Sequence, residues 1–147
     1  MQQRQGALTV RTRGRGLYEI TGEISAWLSS QGAAVGMATL FCQHTSASLT
    51  IQENADPDVQ RDIETFFERL VRDDPALYRH RAEGPDDMPA HIRAALTDVQ
   101  LSIPVQGGRM ALGAWQGVYL FEHRTSPHRR QVVLHFIGDL RDEGPGA

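Results

Sequence analysis

One cysteine in 147 residues is too few for an intrachain disulfide or a thiolate-rich metal site. Cys42 therefore reads as a buried apolar residue, and a reducing, cytoplasmic setting fits the chain. No stretch is long and apolar enough to span a bilayer. The basic N-terminal residues 1–15 lack the apolar run of a signal peptide, so neither export nor membrane association is expected. Charge of one sign is missing too: 15 basic and 18 acidic residues give a net charge of -3. A phosphate-backbone footprint shows as a basic excess, so nucleic-acid binding is not expected. Repeats, low-complexity tracts, a dinucleotide fingerprint and a P-loop are all absent. The Gly107-Gly108 pair before Arg109 lacks the strand, loop and helix context of a phosphate cradle and reads as a hairpin turn. What remains is a chain of common single-domain size, expected to bury about 70% of its unfolded surface.

Turn signals recur at intervals that suit a strand-rich domain with two or three helices. Residues 8–13 alternate apolar and polar, with Thr9, Val10 and Thr12 favouring a strand that Gly14 and Gly16 break. Thr21, Ile24, Trp27 and Leu28 have helical spacing, and Gly32 is placed to end that helix. Residues 35–43 and 48–52 read as strands. Asp56-Pro57 is an N-cap acid followed by a proline in the first turn, leading into Val59, Ile63, Phe66, Phe67 and Leu70 at helical spacing, so a helix is predicted to about Val71. An irregular stretch follows to Asp87, then a short helix over 89–96 capped by Asp86 or Asp87. Four strand-like runs, 99–105, 109–112, 117–123 and 131–137, close the chain before a loose tail over 141–147. Four consecutive strands without intervening helices argue for an α+β fold, mainly an antiparallel sheet sandwich, and against a doubly wound parallel sheet.

Three segments carry groups capable of chemistry. His44 follows a buried-looking strand and precedes Thr45 and Ser46, and the next strand brings Glu53, Asn54 and Asp56 to its end, where a carboxylate and an amide lie near helix N–H groups. Asp56 is adequately explained as a cap; Glu53 is read equally well as a ligand. The second segment holds Tyr78, His80, Glu83, Asp86, Asp87 and His91, between apolar anchors Leu77, Met88 and Ile92. Long polar loops of this kind commonly serve function, and an imidazole with a carboxylate on one helix turn suits zinc or another divalent ion. The third is the run from Gly113 to Gly117, in which Trp115 is either a core plug, the commoner role, or a stacking platform beside Gln116. Glu122 and His123 fall on opposite faces of one strand, so at most one shares a pocket with the interior residues beside it. His128 and His135 read as ordinary histidines. Two arginine clusters, one at Arg11, Arg13 and Arg15 and one at Arg124, Arg129 and Arg130, could hold a small anion, although solvated surface charge is the commoner role.

Taken together, 43–50 (Gln-His-Thr-Ser-Ala-Ser-Leu-Thr), 53–57 (Glu-Asn-Ala-Asp-Pro), 83–92 (Glu-Gly-Pro-Asp-Asp-Met-Pro-Ala-His-Ile) and 113–117 (Gly-Ala-Trp-Gln-Gly) resemble the YjbQ family of small bacterial and archaeal proteins. The likeness runs from about Leu17 to Gly138, within one domain whose core spans about 6–139. The resemblance implies a compact α+β homotrimer with a metal-binding pocket, and a weak thiamine-phosphate synthase activity, the transfer of a pyrimidine diphosphate onto thiazole phosphate. His44 matches the family's histidine before Thr-Ser-Ala, Glu53 and Asn54 its Glu-Asn pair, and His91 the histidine after Met-Pro; Ala114 departs from the usual threonine.

Two readings follow. In the first, an enzyme holds a divalent ion, zinc or similar, through His44, His91 and Glu53, with Asp87 as an alternative ligand; Glu83, His80 and Asp87 are the catalytic candidates. The ion would neutralise charge on a departing phosphate, in a transferase or a metal-dependent hydrolase acting on a small phosphorylated metabolite. Ser46, Asn54, Trp115, Gln116 and Arg109 are the candidates for holding that substrate. In the second, a non-catalytic trimeric module captures the metabolite through arginines such as Arg109 and Arg124.

Overall fold

The computed structural model describes residues 1–142, and the tail expected over 141–147 lies outside the described residues from 143 onward. The strands are β1 (Gln2–Arg11), β2 (Gly16–Glu19), β3 (Ala33–Cys42), β4 (Ala47–Glu53), β5 (Gln100–Gln106), β6 (Arg109–Met110), β7 (Gln116–Glu122) and β8 (Arg129–Leu140); the helices are α1 (Thr21–Ser30), α2 (Pro57–Leu70) and α3 (Asp87–Leu96). A 3-10 turn spans Pro75–Leu77. Every named strand pair is antiparallel, in a five-stranded sheet ordered β1-β8-β3-β5-β6 and a three-stranded sheet ordered β2-β7-β4. The α+β reading with mainly antiparallel sheets is therefore the observed architecture.

Alternation along the strands builds the core. Leu40, Leu134 and Phe136 of the large sheet meet Leu49, Val118 and Leu120 of the small one, and Ile24 and Leu28 of α1 join the same cluster. Where β3 and β8 pair, Gly36 and Gly138 lie opposite each other, and a Cβ on Gly36 would come within 2.7 Å of the Gly138 Cα. The two backbones approach so closely that neither position has room for a side chain. Gly107 and Gly108, with φ of 55° and 78°, form the β5–β6 hairpin turn expected of them. No helix among the described residues is long and apolar enough to cross a membrane.

β7 departs from expectation in an informative way. Glu122 and His123 do point to opposite sides, yet both are fully buried. The inner side of β7 faces the large sheet, where Glu122 meets Arg130 of β8. Its outer side is roofed by helix: the Phe67 ring of α2 lies edge-on to Phe121 at 5.4 Å, and Phe121 in turn touches His123. A two-sided strand of this kind has no solvent face for the polar side of the alternation. α2 begins as read, with Asp56 Oδ1 accepting from Asp58 N at 2.9 Å.

Candidate metal centre

Gly84, at φ 101°, turns the chain into α3, and Asp87 and His91 follow four residues apart on one helix face. Pro89 sits in the first turn, where a missing N–H costs no helical hydrogen bond. The preceding loop adds His80 and Glu83. One ligand atom from each of His80, Glu83, Asp87 and His91 falls within 4.8 Å of the others. At the centre is Asp87 Oδ2, 2.7 Å from His80 Nε2 and 3.0 Å from His91 Nε2, on a residue only 1% exposed.

The surroundings fix this arrangement. Arg124, from the loop after β7, donates from Nη1 to Asp87 Oδ1 at 2.9 Å, from Nε to Asp86 Oδ2 at 2.9 Å and from Nη2 to the Glu83 carbonyl at 3.0 Å. Asp86 occupies the N-cap position of α3 but does not cap it; its carboxylate accepts from Arg124 and from Thr125 N and Oγ. Burial works to raise the Asp86 carboxyl, and these hydrogen bonds outweigh it and bring it down to about 2. Burial also works to raise Asp87, and His80, Glu83, His91 and Arg124 together outweigh it and lower it. Both carboxylates are thus held ionised.

His91 Nδ1 lies 3.0 Å from the Thr45 carbonyl. A carbonyl oxygen only accepts, so the proton of the ring is on Nδ1, and a neutral His91 presents the Nε2 lone pair to Asp87 Oδ2. Two acceptors 3.0 Å apart call for a cation beside them, either a proton that makes His91 an imidazolium or a metal ion. A backbone carbonyl on the far nitrogen is also the usual way a metal-binding histidine is oriented. Imidazole with carboxylate is a donor set for zinc, manganese, iron or nickel.

His44 is turned the other way. Its Nε2 accepts from the Gln131 backbone N–H at 2.7 Å, and burial together with the nearby Arg130 charge lowers its pKa, so the ring is neutral with its proton on Nδ1. With Nε2 accepting from the backbone and Nδ1 carrying the proton, neither ring nitrogen of His44 has a lone pair free for a metal.

The site is therefore carried by His80, by the stretch 83–91 and by Arg124 and Thr45 around it, and residues 6–139 as a whole match the family model described as UPF0047 protein YjbQ-like. The chain belongs to the YjbQ/UPF0047 family. A UPF0047 protein of Synechocystis sp. is 50% identical over 95% of both chains, and the UPF0047 protein YjbQ of Escherichia coli O157:H7 is 41% identical over 92% of this chain and 98% of its own. Among solved structures, a conserved hypothetical protein of Thermus thermophilus superposes with a TM-score of 0.81 at 33% identity, covering 90% of this chain and 99% of that one. A hypothetical protein of Aeropyrum pernix gives 0.83 at 29% identity, over 92% and 99%.

The YjbQ motifs are not all at one place in the fold. The β4–β7 ladder runs from the pair Ala47 and Glu122 at one end to Glu53 and Gln116 at the other, six residues or about 20 Å apart at ~3.4 Å per residue. His91 docks beside the first end, through Thr45; Glu53, Asn54, Trp115 and Gln116 gather at the second. Within one chain the set His44, Glu53 and His91 is thus not a shell: Glu53 is at the wrong end of its strand, and His44 has spent its Nε2. Asn54 donates to Glu19 Oε2 at 3.2 Å, and Gln116 closes its own turn by accepting from Gly113 N at 2.7 Å. Trp115 is no core plug; that turn holds it 65% exposed. Arg109 is exposed on the β5–β6 hairpin. Ser46 is buried, its carbonyl and Oγ both accepting from Arg130 Nη2, so it supports the neighbouring Thr45 carbonyl. His80, Glu83 and Asp87 stand with His91. Sequence reasoning missed Arg124 as the clamp of this cluster, and the Thr45 carbonyl as the group that orients His91.

Proposed function

We propose that this chain is a metal-dependent enzyme acting on a small phosphorylated metabolite, with His80, Asp87 and His91 as ligands of a divalent ion, zinc or similar, and Glu83 as the proton acceptor. The carrying observation is the convergence of two imidazole Nε2 atoms on one oxygen of a buried, ionised carboxylate. Two histidines and one carboxylate leave further positions of an ion open to water or substrate. When bound, the ion supplies Lewis-acid stabilisation of charge on a phosphate oxygen. The chain's own residues do the rest. Arg124 holds the Asp87 carboxylate in place through Oδ1, Thr45 fixes the His91 tautomer, and exposed Glu83 is within reach of a water or hydroxyl proton at the site.

Hydrolysis and transfer of a phosphorylated group are both within this chemistry, and the weak thiamine-phosphate synthase activity implied by the YjbQ likeness is one form of transfer. A cytoplasmic homotrimer belongs to the same proposal, the compartment from the lone Cys42 and the assembly from the likeness. The rival reading, anion capture by arginines without turnover, loses Arg124, whose guanidinium is already engaged by Asp86, Asp87 and the Glu83 carbonyl. Elemental analysis of purified protein beside Asp87→Asn and His91→Gln is the test: about one metal per chain in the wild type and little in either variant, with far-ultraviolet circular dichroism unchanged. Equal metal content in all three proteins ends the proposal.

A further inference from the structure

The two histidines that flank Thr45 in space carry the same Nδ1–H tautomer, imposed by the backbone through opposite ring nitrogens, so they turn opposite functions outward. His91 donates from Nδ1 to the Thr45 carbonyl and so turns an acceptor, Nε2, toward Asp87. His44 accepts at Nε2 from Gln131 N–H and so keeps a donor at Nδ1. That donor makes no hydrogen bond among the described residues, and it is not among the buried unpartnered polar atoms, which are Arg93 Nε and His123 Nδ1; it faces solvent. Both imidazoles line one cavity of about 260 Å³, with Thr45 at its rim and an apolar floor that includes Ala94, Ala95 and Val99. The lining contains no arginine. A ligand oxygen there meets a neutral N–H, the exposed Thr45 hydroxyl and the edge of the His91 cluster, while its carbon part rests on alanine and valine.

We infer that this cavity is an oxyanion subsite in which His44 donates from Nδ1 to a phosphoryl or carboxylate oxygen of a small ligand whose apolar part covers Ala94, Ala95 and Val99, and that His44 is not a metal ligand. The inference deepens the proposed function and rests on it for the neighbouring ion. It assigns the two histidines separate work: His91 holds the cation and His44 binds the anion. A pocket of this composition favours a compact monoester or acid with a hydrophobic substituent over bare inorganic phosphate.

Two substitutions separate the roles. In His44→Gln the side-chain carbonyl can still accept from Gln131 N–H while the outward donor is lost; in His44→Asn an amide N–H returns near the Nδ1 position. Zinc and then phenylphosphonate are titrated calorimetrically into wild type, both variants and His91→Gln, with the phosphonate series repeated without zinc and with benzoate as the carboxylate probe. Loss of one hydrogen bond to a charged oxygen weakens binding roughly tenfold. Expected is such a loss in His44→Gln, substantial recovery in His44→Asn, and zinc affinity within about threefold of wild type in both. Preference for phenylphosphonate over benzoate, or the reverse, identifies the oxyanion class and supports the subsite either way. Unchanged phosphonate and benzoate affinity in His44→Gln overturns the inference, as does loss of zinc in that variant to the extent seen in His91→Gln. Wild type that takes up no zinc ends the metal reading alone, because the zinc-free series still decides whether His44 is the donor; absence of binding of both probes in that series overturns the subsite.

Discussion

The two ends of the β4–β7 ladder carry similar residue types and have opposite fates. Both present carboxylates and amide or imidazole groups beside a turn. At the Ala47 end, Arg130 bridges Glu122 and Ser46 and His123 Nε2 pairs with Ser48 Oγ at 2.8 Å in the interior, with Thr97 Oγ 2.6 Å from Ser48 Oγ at its edge. At the Glu53 end, Gln116 closes its own turn, Asn54 reaches Glu19 Oε2 near the surface, and Trp115 stands in solvent. What separates the ends is burial and cross-sheet support. At the first end the polar groups lie in buried networks between the two sheets, so rotamers and tautomers are fixed there.

The comparison breaks most sharply at Glu122. Its carboxylate is fully buried and accepts from Arg130 Nε at 2.7 Å, from Thr12 Oγ at 2.8 Å and from Arg124 N at 3.0 Å. Glu122→Gln leaves the Arg130 charge without its counter-charge in the interior. The expected cost is about 3 kcal/mol of stability, a fall in melting temperature on the order of 10 °C, read by urea and thermal unfolding. A change below about 1 kcal/mol would mean that the pair is not the support of the Ala47 end.

Arg124→Gln comes next. It leaves the two histidines, Glu83 and Asp87 in place and removes the clamp on Asp87 Oδ1, so metal affinity is expected to fall roughly 10-fold to 100-fold while the fold persists. Zinc titration reads it, and an unchanged affinity would show that Asp87 is positioned by α3 alone.

His123 sharpens the comparison through pH. Burial, followed by the charges of Arg93, Arg15 and Arg130, lowers its pKa to about 3 from the ordinary 6.5. In the unfolded chain this histidine takes up a proton near pH 6.5, and in the folded chain it does not until about pH 3. Its contribution to stability is therefore full above 6.5 and declines as pH falls toward 3. The carboxyls of Asp86, Asp87 and Glu122 are also lowered on folding, and their contribution declines only below the ordinary carboxylate range, as pH falls from about 5. His123→Gln should flatten the stability profile between pH 6.5 and 5 and leave the steeper acid limb. Parallel profiles for the two proteins in that upper window would place the sensitivity elsewhere.

How much of this was legible in the residues follows from range. Asp56-Pro57 and the apolar spacing behind it announced α2, and Gly107-Gly108 announced a hairpin, because each depends on contacts within a few residues. Asp87 and His91 were readable as one helix turn for the same reason. β1 begins at Gln2 although residues 2–5 carry no apolar alternation; pairing with β8 makes that edge strand, and its arginines suit an edge. β2, only four residues beginning at Gly16, is too short to show a pattern of its own and is defined by its pairing with β7. The His44 tautomer is set by Gln131, 87 positions away, and Arg124 reaches Asp87 across 37. No local pattern encodes such pairings, so spacing alone groups Glu53 and His44 with His91 in a shell that one chain does not form.

The smallest expected effect tests that last point. Glu53 makes no side-chain hydrogen bond among the described residues, and it lies about 20 Å along β4 from the His91 end. Glu53→Gln should leave zinc affinity within about twofold and stability within about 0.5 kcal/mol, the range of ordinary surface substitutions. A large loss of zinc in this variant cannot arise inside one chain, because no rearrangement short of unfolding carries Glu53 along its ladder to Asp87. It would require a second copy to present its Glu53 end to the first copy's Ala47 end. The same titration on mixed Glu53→Gln and Asp87→Asn chains would then recover part of the binding, since each lesion sits on a different partner of the shared site.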